Sequence, residues 1–312
     1  VRGTGRRRLV WVLIAAIAIV LLWLAGDFTY SRVVLHRYEK WNNAVERDAD
    51  GVRVGCRDFT VGSGDTALLF IHGYSDSPAI FKKMAARLAD RGFTCRAMLR
   101  PGCARPLEQY AQATNEKWRV ALEQEVAALY ETHERVWIIA HSLGGAITIN
   151  YLLDHPDAVD GVVLLGPLIA VSPERSPVLS PRDWYRIGKK MVIFTDIVEN
   201  PFEVEAHSAD ARTYDGYSRY VPRKVYDEIF EITDDNEGRG AELKLPILMV
   251  LSRNDNIVDS SAAHDYYKAI SSRRKRLLWL EDAYHMIPID TGWEEVVEEI
   301  VAFTAISDGV EQ

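Results

Sequence analysis

Cysteine is scarce in this chain: Cys56, Cys95 and Cys103 are the only three in 312 residues. So few exclude a disulfide framework, and their spacing fits no zinc pattern. An oxidising compartment would permit one pair, with Cys95 and Cys103 nearest in sequence, and all three are read as structural. Positive charge is also short, 37 Lys and Arg against 45 Asp and Glu, for a formal net charge of -8. No broad basic surface is left to displace phosphate counterions, which excludes a nucleic-acid partner. Internal repeats and low-complexity tracts are absent. The acidic run Asp234-Asp235-Asn236-Glu237 lacks the order of a calcium loop and reads as a solvated turn.

Long apolar runs are missing with one exception. Arg6-Arg7-Arg8 is followed by an uncharged stretch from Leu9 to Ala25, ending at Gly26-Asp27. As a helix it would reach about 25 Å, near the short limit for crossing a bilayer. A cleaved signal peptide is the alternative, but its core is shorter and ends in small residues, whereas Trp23 stands two before Ala25. The reading is a basic cytoplasmic N-terminus (1–8), a transmembrane signal anchor (9–26) and a charged stalk (27–50). By the positive-inside rule the rest of the chain lies across the membrane, in the periplasm if bacterial. Signal cleavage would instead secrete it.

Beyond residue 50 short apolar runs alternate with amphipathic stretches. Val52 to Val61 reads as one or two strands, followed by strands at Ala67–Ile71, Thr94–Leu99, Val136–Ala140, Val162–Leu165, Pro246–Leu251 and Arg276–Leu280. Helices are expected after Ser77-Pro78, where Phe81, Met84 and Leu88 share a face, over 116–130, over 146–153 and over 261–270. A last helix opens at Thr291 in a capping box with Glu294. This rhythm implies an α/β domain with a mostly parallel sheet flanked by helices. Between Pro167 and Leu245 the rhythm breaks into a proline- and aromatic-rich segment, read as a mainly helical lid insertion.

Ligands of open α/β sheets bind beyond the carboxyl ends of the strands. That criterion selects Ser142 after VWIIA, His72-Gly73-Tyr74 after ALLFI, Asp255 and Asp259 after PILMVL, and His285 after RLLWL. A hydroxyl becomes a useful nucleophile when a base accepts its proton and an acid orients the base. Serine, aspartate and histidine stand at strand ends in that chain order. Backbone amides of Leu143, at a helix N-terminus, and of Tyr74 are candidate donors to an oxyanion. His264 lies within a helix and His141 in the turn itself, so both are poorer bases. Asp259, just before Ser260-Ser261, has the look of a helix N-cap, which favours Asp255 as the acid.

HGY at 72–74, AHSLGG at 140–145, the Asp255 run, His285 and the passage AYHMIPID together resemble the α/β-hydrolase family over most of residues 52–305. The order of pieces is similar to that of small carboxylesterases and monoacylglycerol lipases. The resemblance implies a hydrolase core over 51–166 and 245–312 with the lid over 167–244. It also implies Ser142 as nucleophile, His285 as general base and acid, Asp255 as its orienter, and Tyr74 and Leu143 as oxyanion donors. One position departs from the G-x-S-x-G elbow, because Ala140 stands at the first small place; one methyl group is a modest intrusion there.

The expectation is a membrane-anchored serine hydrolase of carboxylic esters, with no metal or organic cofactor, since protein groups supply both polarisation and proton transfer. Lipid-like esters are the favoured substrates, with an aminopeptidase, an acyltransferase or a non-catalytic binding protein as alternatives. Glu199, Glu203 and Glu205 are the acids that an aminopeptidase would use, though an exposed acidic face is the better default.

Overall fold

The computed structural model describes residues 3–176, 178–200 and 205–305. Its first element, α1 (Gly3–Ala44), is unbroken, so the expected anchor and stalk are continuous as one helix. Gly26 does not interrupt it, and a side chain there would meet nothing within 4 Å. Among the described residues α1 is the one helix long and apolar enough to cross a membrane.

After α1 come β1 (Phe59–Val61), β2 (Thr66–Ile71), α2 (Lys82–Ala89), β3 (Thr94–Met98) and the short α3 (Leu107–Tyr110). The region 52–61 thus yields one strand. Ser77-Pro78 starts a 3-10 turn, Pro78–Phe81, ahead of α2, and Ser77 makes no side-chain cap. Then follow α4 (Asn115–Tyr130), β4 (Arg135–His141), α5 (Leu143–Asp154) and β5 (Gly161–Leu165). Thr114 caps α4 by accepting from the Lys117 amide at 3.2 Å.

The chain then leaves the sheet for α6 (Pro181–Met191), β6 (Ile197–Glu199), α7 (Ala209–Thr213), β7 (Tyr220–Pro222) and α8 (Lys224–Asn236). It returns with β8 (Ile247–Ser252), α9 (Ser260–Ala269), β9 (Lys275–Leu280) and α10 (Trp293–Ala305). The sheet order is β1-β3-β2-β4-β5-β8-β9, parallel throughout except for β1. Strands β2, β5 and β8 are buried at every position, because helices cover both faces of a parallel sheet. One core cluster joins α4, α5 and α8 to one face; the other joins α2 and α10 to the opposite face.

Two local expectations fail, each for a physical reason. The last helix starts at Trp293, since Gly292 at φ +89° cannot serve as a first helical residue after a Thr291 cap. Asp234, Asp235 and Asn236 are helical, and Asn236 is buried, donating to the Ala146 carbonyl at 2.8 Å; a buried amide bond outweighs the turn-like composition. Within 167–244 three helices, α6, α7 and α8, are accompanied by β6 and β7, which pair as an antiparallel ribbon whose three-residue strands are too short to show alternation.

Candidate active site

The turn between β4 and α5 sets the site. Ser142 has φ 54° and ψ -120°, a conformation costing on the order of 1–3 kcal/mol for a residue with a side chain. The fold holds it there: the Ser142 amide donates to the Leu165 carbonyl at 3.0 Å, and the Ser142 carbonyl accepts from Leu168 at 3.0 Å and Gly145 at 2.9 Å. Two glycines allow this close approach. A Cβ on Gly144 would stand 2.3 Å from the Ile71 carbonyl oxygen, and one on Gly145 would stand 2.8 Å from Pro167. Ala140, at the atypical elbow position, is fully buried in β4.

Three side chains from separate strand ends converge on this turn. His285 Nε2 lies 2.9 Å from Ser142 Oγ, and His285 Nδ1 lies 2.7 Å from Asp255 Oδ2. The other Asp255 oxygen accepts from the amides of Ile257 and Val258, both at 2.9 Å, so the carboxylate is held at both ends. Asp259 instead accepts from the amides of Ser261 and Ala262 and caps α9. A neutral imidazole in this arrangement can take the serine proton while the carboxylate fixes its tautomer.

Gly73 lies against the serine, since a Cβ there would approach Ser142 Cβ to 3.0 Å. Tyr74 follows Gly73 and Leu143 follows Ser142 in the chain, and neither backbone amide has a protein acceptor among the described residues. Arg100, 1% exposed, donates to the Gly73 carbonyl at 2.6 Å. That carbonyl and the Tyr74 N–H belong to one peptide plane, so a cation fixing the first also aims the second. Arg100 packs over Trp118, 5.0 Å from the ring centroid.

Burial dominates the electrostatics beneath the turn. It lowers His141 to about 3, with the neighbouring His285 lowering it further; the ring centroids are 4.9 Å apart. Neutral His141 donates from Nε2 to the His285 carbonyl at 2.9 Å and so holds the backbone of that residue. Burial likewise keeps His72 well below its ordinary value, with Arg100 adding to the effect. Asp76 is pushed up to about 7 by burial, against the hydrogen bonds it accepts from Tyr214 and the Ser77 amide.

Two cavities meet at Ser142. The larger, about 320 Å³, is walled chiefly by apolar and aromatic side chains of the 167–244 segment, with Tyr74, Ile257 and, from α1, Tyr30. The smaller, about 70 Å³, carries Asp76, Asn200, Glu205 and Asn256 beside His285. Glu199 is engaged by Arg37 and Arg219 at the α1–β6 contact, and Glu203 lies outside the described residues. The roles of Arg100, His141, Asp76 and Tyr30 had no signal in the sequence, because each acts through a neighbour remote in the chain. All three cysteines are free and buried, and no cluster suited to a metal occurs among the described residues.

This is the architecture of an α/β hydrolase, and the chain belongs to the family described as serine aminopeptidase S33, which it matches over residues 62–292. It is 22% identical over 262 residues to a carboxylesterase of Bacillus subtilis (strain 168), covering 79% of this chain and 95% of that protein. It is 21% identical over 255 residues to a thermostable monoacylglycerol lipase of Bacillus sp. (strain H-257), covering 80% and 95%. The solved monoacylglycerol lipase of Paleococcus ferrophilus superposes with a TM-score of 0.67 at 21% identity, over 79% of this chain and 96% of that one. The chain is thus an esterase- and lipase-like α/β hydrolase.

Proposed function

We propose that this chain hydrolyses carboxylic esters of monoacyl lipids, monoacylglycerols or lysophospholipids, through an acyl-enzyme intermediate. The observation that carries the reading is the position of Ser142 on the wall of both cavities. An apolar space of about 320 Å³ suits an acyl chain, and a small space with acids and amides suits the polar alcohol. The relatives named as carboxylesterase and monoacylglycerol lipase support the same class.

In this mechanism Ser142 Oγ passes its proton to His285 Nε2 as it attacks the ester carbonyl. The oxyanion takes hydrogen bonds from the Tyr74 and Leu143 amides, Asp255 stabilises the imidazolium, and the alcohol leaves with the proton from Nε2. Water, deprotonated by the same histidine, then releases the acid and restores Ser142. The segment 167–244 acts as a lid over this site. No metal or organic cofactor enters these steps. We further infer that α1 anchors the chain, with Arg6–Arg8 on the cytoplasmic side and the hydrolase domain across the membrane.

The family description favours a second reading, a serine aminopeptidase, and Glu205 beside the smaller cavity is the acid that would hold an amino terminus. The larger apolar cavity argues for the acyl substrate instead. Reaction with a fluorophosphonate probe, with Ser142→Ala as control, tests the nucleophile: labelling of the wild type and none of the variant is expected. An unlabelled wild type would overturn the enzymatic reading. Parallel assays with a monoacylglycerol and a peptide naphthylamide separate the two substrates, and turnover of the amide alone would overturn the ester reading.

A further inference from the structure

The part of α1 beyond its apolar run is packed against the domain. Asp27, Ser31, Val34 and Tyr38 make a buried stripe at successive turns of one helix face, whereas residues 6–22 are all exposed. Contact begins at the end of the apolar run. Trp23 Nε1 donates to the Met191 carbonyl at 2.9 Å. Asp27 Oδ2 accepts from the amides of Ile193 and Phe194 at 2.8 and 3.2 Å, and Phe28 meets Phe194 edge-on at 5.9 Å between centroids. These bonds place residues 191–194 at the height where the apolar run ends.

From that height an apolar surface spreads outward. On α6, Trp184, Ile187 and Met191 fall on one side at spacings of three and four, and with Ile193 and Phe194 all are 41–52% exposed. Inward from the same point lies the large cavity. Its walls include Val192, Gly188 and Tyr30, one turn past Asp27, together with Ser142. One continuous set of residues therefore connects the end of the apolar helix with the candidate nucleophile.

We propose that this surface rests in the interfacial layer of the membrane that holds α1, and that an acyl chain passes from that leaflet along Tyr30 into the cavity beside Ser142. The substrate half of this proposal rests on the ester-hydrolase reading above. The bilayer is the occupant because the surface continues directly from the end of a helix long enough to cross it. Trp23 and Trp184 have the amphipathic rings enriched at headgroup depth, and exposed Lys190 adds a cation for anionic lipid. The family match begins at residue 62, so α1 and the Tyr30 wall lie outside the matched region.

The test uses the full chain in phosphatidylcholine vesicles. The buried native cysteines leave Ile187→Cys, or Val120→Cys on α4 as control, open to bimane labelling. Brominated lipids should quench the label at 187 and leave the one at 120 unquenched. Ile187→Glu with Phe194→Glu should lower kcat/KM for a vesicle-embedded monoacylglycerol at least tenfold while a soluble short-chain ester stays within twofold. A label at 187 that brominated lipid leaves untouched overturns the proposal, and cross-linking between Ile187→Cys chains would then assign the surface to a second copy. Equal effects on both esters overturn the lipid path. If wild type hydrolyses neither ester, the ester-hydrolase reading fails and the lipid path with it, while quenching still decides the docking.

Discussion

Two helices are held on opposite terms beside one cavity, whose wall takes Ser142 from the N-terminal end of α5 and several residues of α6. Every residue of α5 from Leu143 to Leu152 is buried, whereas no residue of α6 is. Close packing against β4, α4 and α8 locates the first. The second is held by surface links, Arg182 to Asp234, Lys189 to Asp227 at 2.6 Å and Tyr185 to Asp227 at 2.9 Å, and by Tyr185 stacked on Tyr226 at 5.5 Å. Dense interiors move between discrete packings or not at all, while surface pairs contribute little and exchange easily. A candidate nucleophile therefore sits at the N-terminal end of the rigid helix, and part of the larger cavity's wall sits on the adaptable one.

The contrast can be broken first at the glycines. Gly144→Ala brings a methyl within 2.3 Å of a backbone carbonyl, and it should cost about 3 kcal/mol in denaturant unfolding along with loss of probe labelling at Ser142. A fully stable Gly144→Ala protein would show that α5 can shift as α6 can.

The rigid side also carries the larger pH response. His141 titrates near its ordinary 6.5 when unfolded and at about 3 when folded, so between those values the unfolded chain binds the extra proton. The stability it contributes is complete above pH 6.5 and falls as pH drops toward 3, by about 1.4 kcal/mol per pH unit. His72 acts in the same direction, and Asp76, raised when folded, opposes them below pH 7. Urea midpoints measured from pH 7 to pH 4 should show a shallower loss for His141→Gln than for wild type.

On α6 the effects shrink and one changes sign. A side chain at Gly188 meets nothing within 4 Å, so Gly188→Ala should stabilise by up to about 1 kcal/mol through helix propensity, seen as a higher thermal midpoint. Lys189→Ala removes a half-exposed ion pair and should cost about 0.5 kcal/mol. A loss several times larger would mean that α6 is fastened as firmly as α5.

Much of the fold was legible because its signals are local. The six apolar runs from Ala67 onward that read as strands are strands to within two residues, whereas 52–61 yields only Phe59–Val61, and Asp259 followed by serines is a helix cap as its composition suggested. Trp118, Leu122, Val126 and Leu129 form the buried stripe of α4. The segment 167–244 was less legible. Its strands are three residues long, too short for alternation to show, and the ribbon of β6 and β7 exists only through pairing across some twenty intervening residues. The charged stretch after the apolar run reads as a stalk, and its composition did not mark Asp27 and Tyr38 as buried; amides and aromatic rings of the domain meet them there.

By itself the sequence determined an alternating α/β domain, a serine at a strand-to-helix turn, an acid and a histidine beyond later strands, and one apolar run at the start. Those follow from periodicity and turn chemistry, which depend on neighbours a few residues apart. Tertiary structure alone decided that Arg100 grips the Gly73 peptide, that His141 holds the His285 carbonyl, and that Tyr30 walls the cavity. The first two of these meetings join residues 27 and 144 positions apart in the chain. Strand order and packing bring them together, and no local pattern encodes that distance.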